Sequence, residues 1–282
     1  MTAAERATDV VTYHGEGAIW FDGGLRLVDM LAGAVLTLDE ATGTVTRTEV
    51  GSPVAACVRP RVSGGFVVAT EREFVLFGAD GAREWASPAL WSEHTRFNEG
   101  SCDPLGRFLC GSMSYDGDEG AGTMWRLEPD RTVTRLFGDV TVSNGLGFSA
   151  DGLRAFYVDT PTRRVDTFDV VDGQLRDRRP FARVPEGPGS PDGLTVDADG
   201  GVWVALYRGS AVHHYDADGA LTDVVEVDAT QVTSCTLGGP DLSTLYITTS
   251  REGLAEKEQP AAGSIFRADV GGRGLATLPC TL

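Results

Sequence analysis

Lysine is almost absent from this chain. Lys257 is the single copy in 282 residues, so the basic groups are nearly all arginine, and 41 aspartates and glutamates outnumber them. The formal charge of −17 repels nucleic acid and anionic lipid at long range and describes a self-repelling, soluble surface. The lack of lysine itself reads as genome composition. Long apolar runs are also missing. No stretch approaches the roughly 18 to 20 apolar residues that span a bilayer, and MTAAERATDVVTYHGEG at the N-terminus has no apolar core of a secretory signal. The five cysteines (57, 102, 110, 235 and 280) are odd in number and form no Cys-x-x-Cys pair. That argues against a disulfide framework or a zinc site and for reduced thiols packed as small core residues. These absences lead us to expect a cytoplasmic protein that binds neither nucleic acid nor membrane, as a monomer or weak homo-oligomer.

A helical period is missing as well. What is present is one phrase repeated six times: a short alternating run, a Gly-containing turn, and a second run. GLRLVDM precedes AVLTLDE, GFVVATE precedes EFVLFGA, GRFLCGSM precedes GTMWRLE, RAFYVDT precedes RVDTFDV, GVWVALY precedes AVHHYDA, and TLYITTS precedes SIFRADV. Runs rich in branched and aromatic residues and bounded by Gly, Asp and Pro are strands. The turns before each first run align at Asp22-Gly23, Ser63-Gly64, Pro104-Leu105-Gly106, Asp151-Gly152, Asp199-Gly200 and Asp241-Leu242, the later ones 42 to 48 residues apart. That spacing is the mark of a propeller blade. The fold class expected is therefore all-β: a six-bladed β-propeller of four-stranded antiparallel blades around a central channel, one domain over residues 1–282. A pair of β-sandwiches is the competing architecture, but it predicts no constant period. Ring closure is expected from TDVVTY near the N-terminus pairing beside the last C-terminal strand.

Asp-Gly occurs eight times, and most copies mark a reversal. Asp192-Gly193 does not, because the loop VPEGPGSP precedes it. Counting back about seven residues from each aligned turn lands on Glu16, Ala56, Asn98, Asn144, Asp192 and Ser234. Seven strand residues cover roughly 23 Å at about 3.3 Å each, so these positions lie at the far end of the strand that lines the axis in each blade. Glu16, Asn98, Asn144 and Asp192 would then converge on one mouth of the channel, with Ser234 an optional, weaker donor that reads equally as an ordinary strand-end hydroxyl. Carboxylate and amide oxygens without His or Cys suit a hard divalent cation such as Ca²⁺, Mg²⁺ or Mn²⁺. Taken singly, each residue is an ordinary turn, loop or strand-end group; the shared offset is what groups them.

With those residues in view, the chain resembles the SMP-30/gluconolactonase/regucalcin family of lactone hydrolases. The resemblance runs from about residue 14 to residue 270 and rests on GEGAIWFDGGLRLVDM, RFNEGSCDPLGRFLCGSM, VSNGLGFSADGLRAFYVDT, SPDGLTVDADGGVWVALYRG and TSCTLGGPDLSTLYITTSREGL. It implies a six-bladed propeller with one divalent cation (Ca²⁺, Zn²⁺, Mg²⁺, Mn²⁺ or Fe²⁺) on Glu16, Asn144 and Asp192. It also implies Asp192 as general base, and Arg96 and Asn98 as substrate contacts. Two departures stand out. The family usually reads Asn-Asp-Gly where this chain has Asn98-Glu99-Gly100. A substrate-contacting Glu of some members has no clear match in YDGDEGAGTMW, where Asp118 or Glu119 is the available carboxylate.

The activity implied is hydrolysis of a sugar lactone to the aldonic acid, with the cation as Lewis acid and Asp192 accepting a proton from water. Hydrolysis of another ester-like bond, such as an organophosphate, stays open at this point. So does a non-catalytic calcium-binding propeller. His14 reads as a strand-packing residue, His94 is given no role, and His213 and His214 face opposite ways in one strand, so they cannot both be ligands. Gly193 reads as room for the backbone beside a metal.

Overall fold

The computed structural model describes residues 2–91, 94–255 and 257–282. Six antiparallel sheets stand in a ring, each running outward from an innermost strand: Gly15–Phe21, Ala55–Pro60, Thr95–Cys102, Ser143–Phe148, Ser190–Val196 and Val232–Gly238 for blades 1 to 6. The expected six-bladed propeller is thus observed. In every blade the repeated phrase supplies the two middle strands, such as Gly24–Asp29 with Ala34–Asp39 in blade 1 and Val202–Tyr207 with Ala211–Tyr215 in blade 5.

All the aligned turns are the hairpins between first and second strands. Asp22 and Gly23 both have positive φ (53° and 73°), the geometry that matches the strands' own twist and that Asp-Gly tolerates. At Asp199-Gly200 the turn is braced by Asp197, whose Oδ1 accepts hydrogen bonds from the N–H of Asp199 (3.0 Å) and Gly201 (2.7 Å). Alternation along each strand sends apolar side chains into the layers between neighbouring blades. Trp20, Leu27 and Leu36 of blade 1 meet Tyr246 of blade 6; Leu109 and Met124 of blade 3 meet Tyr157 and Phe168 of blade 4. The core is therefore a ring of inter-blade layers, and the axis is left to the innermost strands.

Closure comes from the N-terminus, as expected, but from a segment upstream of TDVVTY. Glu5–Arg6 pairs antiparallel with Phe266–Asp269 as the outermost strand of blade 6, and Thr2–Ala3 adds a parallel fifth strand to blade 5. Residues 8–13 follow as irregular chain, with the N–H of Val11 and Thr12 bonded to Gly263 O (3.0 and 3.1 Å). Three-residue apolar alternation was too short to tell which part of the leader pairs. At the hairpin end, the C-terminal segment ties Ala198, Leu242, Trp20, Pro60 and Gly106 together through Arg273, Gly274, Thr277, Cys280 and Thr281. It closes over a cavity of about 300 Å³ lined by Arg59, Thr195 and Leu275 among others. All five cysteines are free and buried, as expected of core thiols, and no helix among the described residues is long and apolar enough to cross a membrane.

Deleting residues 2–7 strips blade 6 of its outer strand and blade 5 of its added parallel strand while leaving blades 1 to 4 intact. The melting temperature followed by circular dichroism should fall by roughly 5–10 °C. Glu5→Ala removes only the exposed Glu5–Arg267 ion pair (2.7 Å) and should shift it by no more than about 2 °C.

Candidate metal centre

Pairing between the first and second strands slips at the same level in every blade. The shifts fall between Glu16 and Ile19, Ala55 and Cys57, Phe97 and Gly100, Ser143 and Leu146, Pro191 and Leu194, and Val232 and Ser234. A bulge leaves its residues out of the ladder and re-aims their side chains. Here Asn98, Glu99, Asn144 and Asp192 lie within the slips of blades 3, 4 and 5, at the end of each strand away from its hairpin, while Glu16 pairs with Val28 at the edge of the slip in blade 1. Carboxylate oxygens of Glu16, Glu99 and Asp192 consequently lie within 4.8 Å of one another, all buried.

Asn144 joins this group from blade 4. Its Nδ2 donates to Thr160 Oγ1 (2.9 Å), which in turn donates to Pro191 O (2.9 Å) and so ties the Asn144 and Asp192 strands together. The amide orientation leaves Asn144 Oδ1 without a partner; Asp192 Oδ1 and Glu99 Oε2 are also buried and unpartnered. Buried oxygens in that state are costly unless something bonds them. The second strands anchor the ligand-bearing ones: Asp29 Oδ1 accepts from the N–H of Tyr13 and His14 (both 2.9 Å), and Asp159 Oδ1 from that of Val142 (2.9 Å).

Burial raises the Asp192 pKa well above the ordinary carboxylate range, aided by the charges of Glu16 and Glu99 and opposed by a hydrogen bond from Asn144 and by Arg96. Glu99 is pushed up to about 8 by burial and by Glu16, with the Arg59 guanidinium acting the other way. Three carboxylates sharing one dry site cannot all ionise without a compensating positive charge. The donor set, three carboxylates and an amide oxygen with no thiolate or imidazole, fits a hard divalent cation.

Arg96 is buried beside the cluster, its NH1 donating to Asn98 Oδ1 (2.6 Å) and Phe97 O (3.0 Å). Asn98 Nδ2 donates to Ser143 O (2.7 Å), adjoining Asn144. Tyr115 lies across the Arg96 guanidinium at 5.9 Å. The structure thus brings Glu16, Asn98, Asn144, Asp192 and Arg96 to one mouth. Asp118 and Glu119 are exposed on the loop after Tyr115, outside the cluster, with Asp118 Oδ2 accepting from Ser114 Oγ (2.9 Å). Ser234 turns elsewhere: the bulge of blade 6 falls on Thr233, whose Oγ1 donates to Gly15 O (2.5 Å). Gly193 makes room for a protein neighbour rather than a metal, since a Cβ there would lie 2.8 Å from both Ser234 Cβ and Oγ.

Two residues were missed. Glu99 sits next to Asn98, and regular alternation forbids adjacent residues from facing the same way. His14 is buried, with Nε2 3.5 Å from Glu16 Oε1 and Nδ1 2.8 Å from Ser250 Oγ and 3.3 Å from Glu252 Oε2. Burial opposes its charge, but Glu16 and Glu252 outweigh that and raise its pKa to about 9. Ser250 and Glu252 lie more than 200 residues away, beyond any local signal. The other histidines stand apart from the centre: His94 is exposed, His214 bonds Asp197 (2.8 Å) at the hairpin side, and His213 faces Tyr215 OH (3.2 Å).

A family profile described as the SMP-30/Gluconolactonase/LRE-like region matches residues 14–251. Pentonolactonase XacC of Haloferax volcanii is 36% identical over 280 residues, covering 95% of each chain. Regucalcin of Xenopus laevis is 33% identical and covers 93% of each. Among solved structures, a calcium-binding protein, regucalcin, from Agrobacterium tumefaciens superimposes with a TM-score of 0.90 at 25% identity, covering 100% of this chain and 98% of that one.

Because Ser234 fills the space beside Gly193, Gly193→Ala should destabilise the fold by about 1–3 kcal/mol, read as a lower denaturant midpoint in urea.

Proposed function

The chain belongs to the SMP-30/Gluconolactonase/LRE-like family, and on that premise we propose that it is a metal-dependent lactonase that opens a sugar lactone to the aldonic acid. The observation that carries the reading is the cluster at the channel mouth, where Asp192 Oδ1 and Asn144 Oδ1 are buried without partners beside two further carboxylates. Glu16, Asn144 and Asp192 would hold one divalent cation. When bound, that cation supplies Lewis-acid stabilisation for the charge developing on a carbonyl oxygen.

The remaining work falls to the chain's own groups. Asp192 is the general base: its carboxylate accepts the proton of the attacking water, help worth about 10²- to 10⁴-fold in rate. Arg96 holds the substrate through Nε and NH2, because NH1 is committed to Asn98 Oδ1 and Phe97 O. Asn98 supports that geometry and adds a polar contact of its own. Asp118 and Glu119, on the exposed loop after Tyr115, would reach the outer hydroxyls of the substrate. The pentonolactonase name of one relative makes five-carbon lactones the first substrates to try, beside six-carbon ones.

Asp192→Asn should lower kcat for an aldonolactone by at least about 10²-fold and weaken cation binding. Arg96→Met should raise KM chiefly and leave the cation bound. Both are checked by following acid release with a pH indicator, beside calorimetric titration of the cation. Undiminished turnover by Asp192→Asn contradicts the mechanism. Cation binding with no lactone turnover in the unaltered protein favours a non-catalytic binder.

A further inference from the structure

We propose that Glu99 is a fourth protein ligand of the cation, so that this chain holds it with three carboxylates and one amide. The family resemblance implied only two carboxylates and one amide. The inference rests on the reading of the mouth as a cation site and extends it to a residue that the resemblance had marked as a departure.

Three observations support it. The first is the length of the bulge in blade 3, which frees both Asn98 and Glu99 from the ladder between Phe97 and Gly100. Asn98 can then turn to Ser143 O (2.7 Å) while Glu99 reaches the carboxylates of Glu16 and Asp192. The second is distance. Ligands on opposite sides of a Ca²⁺ ion, each about 2.3–2.6 Å from it, stand about 4.6–5.2 Å apart. The oxygens of Glu16, Glu99 and Asp192 lie within 4.8 Å of one another, so one ion can touch all three.

The third is the state of Glu99 itself. It is 4% exposed, and its Oε2 has no hydrogen-bond partner. A buried ionised carboxylate with an idle oxygen is a heavy penalty to the fold unless a cation takes up that oxygen. Blade 2, whose Ala56 offers no ligand, supplies a balancing charge from the same strand. Arg59 is buried and donates to Gly100 O (2.5 Å), on the backbone next to Glu99, and to Val58 O (2.7 Å) of its own strand. The charge of Arg59 and that of a divalent ion both offset the three carboxylates, beside Arg96 near Asp192 and His14 near Glu16.

Coordination can be counted without assaying the enzyme. Eu³⁺ luminescence lifetimes in H₂O and D₂O report the waters bound directly to the ion. Glu99→Ala should add about one or two waters relative to the unaltered protein, the number a monodentate or bidentate carboxylate vacates. Glu99→Gln keeps the side-chain volume and serves where the alanine variant fails to fold. It should weaken Ca²⁺ binding in calorimetry by at least about tenfold. Unchanged water count and unchanged affinity in these variants overturn the assignment of Glu99 and leave the cation site standing. An unaltered protein that binds neither ion overturns both.

Discussion

Strand pairing beside a propeller axis faces a conflict: regular alternation would bury every second side chain between blades and send the rest to the axis one at a time. This chain breaks the alternation in all six innermost strands at one level. The bulge is what the centre depends on. It frees Asn98, Glu99, Asn144 and Asp192 from the ladder and, with Glu16 at the edge of the slip in blade 1, lets blades with unrelated local sequences contribute to a single cluster.

The blades then divide the labour. Blades 1, 3 and 5 supply Glu16, Glu99 and Asp192, and blade 4 supplies Asn144. Blade 2 supplies none of these oxygens and instead lends Arg59, whose charge opposes the upward shift of the Glu99 pKa. Blade 6 adds Thr233, which bonds Gly15 O and Thr248 and locks the seam where the ring closes. Around them run supports that touch no cation: Thr160 fixes the Asn144 amide, His14 faces Glu16, and Asp29 and Asp159 clamp the chain entering two innermost strands. Such supports orient ligands and tune what they bind.

Much of this was legible before the fold was known. The repeat of turns read out the six blades, and counting back from them found Glu16, Asn98, Asn144 and Asp192, because strand length and hairpin position are set locally. What failed to read was whatever depended on contacts between blades. Alternation hid Glu99 behind Asn98, since only a bulge of two residues brings both inward. Ser234 was one residue off, because the slip in blade 6 falls on Thr233. His14 drew its meaning from Ser250 and Glu252 across the closure, and Gly193 from Ser234 in the next blade. The leader misled for a different reason: two-residue pairing at Glu5–Arg6 is too short to leave a pattern.

A lactonase built on this plan needs an electrophile, a base and a substrate clamp at one mouth, and the innermost strands bring candidates for the base and clamp beside a set of buried oxygens chemically suited to the electrophile. The most direct test of that account is anomalous diffraction from crystals soaked in Mn²⁺. It predicts one strong peak bounded by Glu16, Asn144 and Asp192 at the channel mouth. No peak there, or a dominant peak elsewhere on the acidic surface, would contradict it.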